Sequence, residues 1–432
     1  MSIASAKCIE CASTINVDDS KKAAVCPYCG EAFIVAEAIG HYRASSATKS
    51  STASSVYENK LKGFTIEVGV LKRYSGEERD VVIPSSVIEI GEAAFKSLPI
   101  TSVVIPSSVT NISDSAFYAC TNLKNVIIPG SVTSIGNHAF NSCAGLDSIS
   151  IPDSVTSIGS YAFHNCKRLK NISASRNLEN LSNGIFSDCT SIETIVIPSG
   201  IKSIGAYAFT DCISLKNITI PGSVKTIEKY AFKECTALKS VSLQEGVVSI
   251  DEYAFTECSS LEAINFPNGL VSIGVWAFYK CKNLTDVVIP SSMTTISADT
   301  FLSCEGLKSV TLPSSITSIG DGAFCGCKSL KKITIPSKVK TIGSSAFGSC
   351  DNLTSVTIPS KVSDLGDDAF CSCQKLKTVN ISSELLDQAL NRCFKYTPFI
   401  KEERKRRGLC EYCGSGLSFF GKCKASCPKY YT

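Results

Sequence analysis

Hydrophobic and polar positions alternate in one repeating order along residues 61 to 382. From Leu123 the chain reads Leu-Lys-Asn-Val-Ile-Ile-Pro129, Gly-Ser-Val-Thr-Ser-Ile-Gly136, Asn-His-Ala-Phe-Asn-Ser-Cys143. The first piece has a strand-like pattern, with Leu123, Val126 and Ile128 turned inward, and Pro129 ends its ladder because proline has no N–H to donate. Val132 and Ile135 point inward from the second piece. Gly136 falls where the chain must turn, a place that favours a residue tolerant of positive φ. Ala139, Phe140 and Cys143 suggest one helical or 3₁₀ turn that fills the interior. The step is uniform: Cys120, Cys143, Cys166, Cys189, Cys212, Cys235, Cys258, Cys281, Cys304, Cys327, Cys350 and Cys373 are 23 residues apart, and a phenylalanine precedes each by three. A fixed period of this length predicts stacked coils, each closing its neighbour's core.

The expected fold class is therefore an α/β repeat solenoid, a curved array in which the first pieces align into a parallel β-sheet. Terminal coils would expose a hydrophobic cross-section, so lids are expected. Gly63–Gly76 alternates around Gly69 and predicts a capping hairpin. Leu385, Leu386, Ala389, Leu390, Cys393 and Phe394 share one helical face and predict a C-terminal lid. The outward strand columns are polar and variable. One runs through Lys124, Lys170, Lys216 and Lys239, a second through Asn125, Ser148, Asn171 and Thr194, a third through Ile127, Ser150, Ser173 and Val196. Small polar side chains of this kind offer hydrogen bonds but few of the aromatic and arginine anchors that dominate interfaces. One coil departs from the pattern, with Ser175 in place of proline and Ile185 in place of alanine.

Most of the 23 cysteines belong to the repeat; the interior column is expected to be buried thiols behaving as small apolar groups. The others lie mainly at the ends. Cys8-x₂-Cys11 and Cys26-x₂-Cys29 form two knuckles whose spacing places four thiolates around one structural Zn²⁺ with no open position. Cys410-x₂-Cys413 and Cys423-x₃-Cys427 form a second, less regular set. The domain organisation follows: residues 1–40 a zinc ribbon, 41–60 a flexible Ser/Thr/Ala linker, 61–382 the solenoid, 383–408 a capping helix and basic segment, 409–432 a second zinc ribbon. Cys325 and Cys371 lie off the column, two coils apart, and read as surface thiols. The basic run Lys401–Arg407, diluted by two glutamates, reads as a solvated helix end.

Composition narrows the function. A net charge of +4 gives no general pull toward nucleic acid. No apolar run approaches the roughly 18 residues that span a bilayer, and the first residues lack a secretory h-region. A cytoplasmic location is expected, with display at the cell surface by an unmarked route as the alternative. Of the three histidines, His41 lies at the linker boundary and His138 and His164 fall in different repeat columns, and no nucleophile elbow, P-loop or zincin motif occurs, so an enzyme is not expected. The pattern Ile-Pro-x-x-Val-x-x-Ile-Gly-x-x-Ala-Phe-x-x-Cys-x-x-Leu-x-x-Val resembles the 23-residue, BspA-like class of leucine-rich repeat. That resemblance implies a solenoid used as a binding surface. The expected function is a non-enzymatic protein–protein interaction scaffold with zinc ribbons as docking modules. A surface adhesin or antigen, and a nucleic-acid-binding protein working through its ribbons, are the alternatives.

Overall fold

The computed structural model describes residues 63–415 in full. Before them it describes the backbone of four strands, Ile3–Lys7, Thr14–Asp18, Ala23–Val25 and Ala32–Ile34. Chain contacts separate two units, residues 1–215 and 216–432. Each contains a stretch of parallel-strand β-solenoid.

Within one coil the inward set is the expected one: Leu123, Val126, Ile128, Val132, Ile135, Ala139, Phe140 and Cys143 are all buried. Two ladders, rather than one, join neighbouring coils. The first pairs Ser102–Val104 with Asn125–Ile127, and the second pairs Asn111–Ile112 with Ser134–Ile135, both parallel and both offset by 23 residues.

The third piece is not helical, which corrects the expectation of a helical turn and makes "α/β" a loose description of the repeats. Its amides alternate in direction. Ser115, Phe117 and Ala119 donate to Asn137, Ala139 and Asn141 of the next coil at 2.8, 2.7 and 2.7 Å, while Ala116, Tyr118 and Cys120 donate three residues back within their own coil. A helix would turn every N–H along its own axis and leave none to bridge coils. The alternation requires left-handed residues four apart, such as Ser115 and Ala119 or His138 and Ser142, with φ of 55–61°. Gly136, by contrast, is not among the positive-φ residues. A Cβ there would lie 2.5 Å from the backbone N of Asp114, so the glycine serves close approach between coils.

In the first unit the strand Phe64–Glu67 pairs antiparallel with Val70–Tyr74, which continues in parallel into the second ladder at Glu89–Ile90. Phe64 and Tyr74 start an internal column of rings. Tyr74–Phe95 centroids are 5.4 Å apart, and Phe95 through Phe209 follow at 4.9–5.7 Å with interplanar angles of at most 27°. The irregular coil keeps its bonding. Ser131 and Ser154 donate to the carbonyls of Val109 and Val132, and Ser175, standing in the proline position, donates to that of Val155 at 2.7 Å.

In the second unit the ring column runs from Phe232 to Phe370 and ends on the lid. The lid comprises α1 (Ser383–Cys393), capped by Ser382, and α2 (Pro398–Arg406), capped by the buried Thr397. The segment after α1 imitates a coil: Asp368, Phe370 and Ser372 donate to the carbonyls of Arg392, Cys393 and Lys395. Phe394 stacks on Phe370 at 5.6 Å, and Phe399 closes the column edge-on at 70°. Leu386, Ala389, Leu390, Cys393 and Phe394 are buried beneath it. Among the described residues no helix is long and apolar enough to cross a membrane.

Candidate interaction site

The interior thiols are donors as well as apolar fillers. Cys143 Sγ donates to the carbonyl of Phe117, one coil back, at 3.2 Å, and that carbonyl also accepts the amide of Cys120. Cys120, Cys166, Cys189, Cys212, Cys258, Cys281, Cys304, Cys327, Cys350 and Cys373 make the same bond at 3.0–3.4 Å. All of these thiols are free. Burial pushes Cys120 up to about 12 and drives Cys143, Cys189 and Cys281 well above the ordinary thiol range, so they are held protonated and unreactive. Cys325 and Cys371 are half-buried rather than fully at the surface. Gly348 stands between them in the column, with Cys325 Sγ 3.5 Å from where its Cβ would be.

Of the proposed zinc ligands, Cys8, Cys11, Cys26, Cys29, Cys423 and Cys427 lie outside the described residues. Cys410 and Cys413 lie within them, one buried and one exposed. Their loop is a closed turn: Gly414, at φ 71°, donates to the carbonyl of Cys410 at 2.8 Å, and Cys410 donates to that of Ser415. The buried guanidinium of Arg404 donates to the carbonyls of Glu411 and Tyr412 inside the loop and to Asn391 Oδ1. Turn, glycine and adjacent cation together suit a pair of thiolate ligands. Among the described residues no group of three or more histidine, cysteine, aspartate or glutamate side chains converges on a metal position.

The basic run is engaged within the chain. Arg406 and Arg407 both pair with Glu403, at 2.6 and 2.7 Å, and Arg407 also pairs with Asp387. Lys405 pairs with Glu402 and Glu411, and Lys401 lies over the Tyr412 ring. Arg406 first, then Arg407, hold the Glu403 carboxyl down at about 2. This differs from a merely solvated helix end.

His138 and His164, which fall in different columns, meet at one ring. His138 stacks on Tyr161 at 5.3 Å and His164 meets it edge-on at 5.8 Å. His164 Nδ1 lies 2.6 Å from Ser187 Oγ and 3.3 Å from Asp188 Oδ2. Both contacts fall on the same ring nitrogen. A catalytic relay needs one on each.

Tyr161 belongs to a feature that the strand columns conceal. The first left-handed position of each coil, two residues before the phenylalanine, holds Tyr161, Tyr207, Tyr230, Tyr253 and Trp276. In the second unit Tyr230 and Tyr253 stack at 4.6 Å and 13°, and the Trp276 ring lies tilted by 34° against Tyr253 with centroids 4.8 Å apart. Thr256 donates to the carbonyl of Trp276 at 2.6 Å. Three rings in register, each half-exposed, form a set of interface-type side chains on this unit. The recurring Tyr-Ala-Phe triplet, followed by Trp276-Ala-Phe278, carries the signal in the sequence. Around the rings Lys229, Lys233 and Lys280 pair with Glu252, Glu234 and Glu257, each at 2.8 Å. Burial first, then the neighbouring carboxylate of Asp321, raises Asp299; burial also raises Asp251, with Lys229 opposing and Glu252 adding. The outward strand column of this unit is itself hydrogen-bonded: Ser240 donates to Asn217 Oδ1 and Ser309 to Asp286 Oδ1.

Parallel two-ladder coils around columns of leucine, phenylalanine and cysteine define a leucine-rich-repeat protein. The chain belongs to the BspA type leucine rich repeat family, whose model matches residues 74–193, 179–308 and 294–404. It is similar to a leucine-rich repeat protein of Bacteroides ovatus, at 34% identity over 72% of this chain and 80% of that one, with a TM-score of 0.67. It is also similar to a leucine rich cell surface protein of Faecalibacterium prausnitzii (29%, 75% and 94%, 0.47). The pneumococcal vaccine antigen PcpA shares the fold, at 21% identity over 77% and 95%, with a TM-score of 0.51. No curated protein matches the chain. Leucine-rich-repeat proteins generally mediate protein–protein interactions, and members of this class are generally non-enzymatic scaffolds.

Proposed function

We propose that the chain is a non-enzymatic protein–protein interaction scaffold, with a structural zinc ribbon at each end as a docking module. The observation that carries this reading is the contrast between columns. Inward positions repeat leucine, valine, isoleucine, phenylalanine and cysteine, while an outward column at the same register passes through Asn217, Ser240, Ala263, Asp286 and Ser309. An invariant frame with a varied face is how repeat proteins carry specificity.

The ribbon part rests on the spacing of the cysteines, Cys8-x₂-Cys11 with Cys26-x₂-Cys29 and Cys410-x₂-Cys413 with Cys423-x₃-Cys427. Zinc bound there would hold a small domain together without chemistry of its own. Free thiols along the array favour a reducing compartment such as the cytoplasm. The test is zinc per chain, with a free-thiol count, on protein purified without added metal. Two zinc ions with the column thiols free are expected. No zinc with most cysteines oxidised would overturn the ribbons and favour a surface-displayed adhesin.

A further inference from the structure

The aromatic column of the second unit sits where the backbone least favours it. A left-handed residue is cheapest as glycine, asparagine or aspartate, and the same column elsewhere in this unit holds the small residues Asp299, Gly322, Ser345 and Asp368. Tyr230, Tyr253 and Trp276 instead place bulky rings there in three consecutive coils, at φ of 60, 59 and 55°. Three bulky residues carry a backbone cost that glycine or aspartate largely avoids, so the backbone alone does not account for the choice of rings here.

Their surroundings are anionic. The lysines of this face already pair with Glu252, Glu234 and Glu257, whereas Asp251 and Asp299 form no ion pair among the described residues. Beyond Trp276 the column drops to Asp299 and then to Gly322, which has no side chain. Asp299 takes the next position of the column after Trp276, and Asp251 stands two residues before Tyr253 in the same coil. Aromatic rings on a face that carries carboxylates without an ion partner suit a guanidinium or ammonium group, through ring-face attraction and charge-assisted hydrogen bonds.

We propose that Tyr230, Tyr253 and Trp276, with Asp251 and Asp299, form a docking strip for an arginine- or lysine-rich peptide segment of a partner protein. This rests on the scaffold reading and assigns it a surface distinct from the strand columns.

Trp276 is the only tryptophan of the chain, so its emission reports on the strip without a label. The full chain is titrated with a peptide of alternating arginine and glycine, and with the same peptide carrying glutamate for arginine. A saturable change with the arginine peptide alone, weakened by salt, is expected. The double variant Asp251→Asn, Asp299→Asn should keep the circular dichroism and thermal transition of the parent and bind about tenfold more weakly. Trp276→Phe, followed by calorimetry, should bind more weakly again than the parent. Equal affinity for both peptides, no saturable change, or unaltered binding by the double variant would overturn the strip. So would an emission change that follows chain concentration without peptide, which would make a second copy the occupant. The two readings fail separately. A partner captured equally well by the double variant leaves the scaffold and removes the strip. An arginine peptide that binds a chain with no protein partner leaves the strip and removes the scaffold.

Discussion

At the scale of the residue, each interior cysteine has two tasks, filling volume and donating to a carbonyl one coil back. Cys258 illustrates both: it is fully buried, and its Sγ donates to Phe232 O at 3.1 Å, a carbonyl that also accepts the amide of Cys235. Cys258→Ala removes donor and volume together and should lower stability by about 1–3 kcal/mol. Cys258→Ser restores a donor and should recover part of that loss in chemical denaturation; a serine variant no better than alanine would show that volume alone matters. The 23-residue spacing made the thiol column legible in the sequence, because identity and period suffice for burial. The donor role was not legible, since its partner is backbone, and backbone carbonyls leave no mark on composition. The left-handed positions were hidden for a related reason. Ala-Phe-x-x-Cys has helical spacing, and Tyr253 or Glu257 is an unusual choice for positive φ. The aromatic column was visible as repeated triplets, but its meaning depends on which side of the coil those triplets occupy.

At the scale of the element, the C-terminal lid combines an apolar face with an ionic cluster on α2. The side chain of Glu403 is only 10% exposed and bonds Arg406 and Arg407. Its folded value, near 2, lies below the ordinary carboxylate value of 4.5. The stabilisation is therefore present above about pH 4.5 and is lost as pH falls toward 2. Acidification through this window should increase amide exchange in α2 before it does so in the coils. Glu403→Gln should open α2 at neutral pH and flatten the acid response. Equal exchange in parent and variant at pH 7 would disprove the role. The helical face of α1 could be predicted from spacing alone, whereas the ionic clamp on α2 could not. It joins Glu403 to Asp387 through Arg407, across two helices whose packing only the fold supplies.

At the scale of the molecule, burial of several thiols in one column makes stability depend on pH. For thiols such as Cys120, Cys143, Cys189 and Cys281, burial raises the folded value above the unfolded value of about 8.5. The stability this represents is complete below pH 8.5 and declines as pH rises toward the folded values. Each such thiol removes about 1.4 kcal/mol per pH unit in that interval. A unit containing several of them should therefore unfold steeply and cooperatively near pH 10, followed by circular dichroism. Retention of native ellipticity through pH 11 would contradict the buried-thiol account.

The parallel ladders, the thiol column and the ring column all keep a common step of 23 residues, as in Ser240↔Ala263, Cys258 and Cys281, and Phe255 and Phe278. Removal of a stretch equal to that step, such as residues 331–353, would join Leu330 to Thr354 and leave the phenylalanine and cysteine columns in register. Loss of one residue fewer would leave every later rung out of line. The gene for such a chain can therefore shorten or lengthen by whole rungs, changing the reach of the protein while preserving the rules by which it folds.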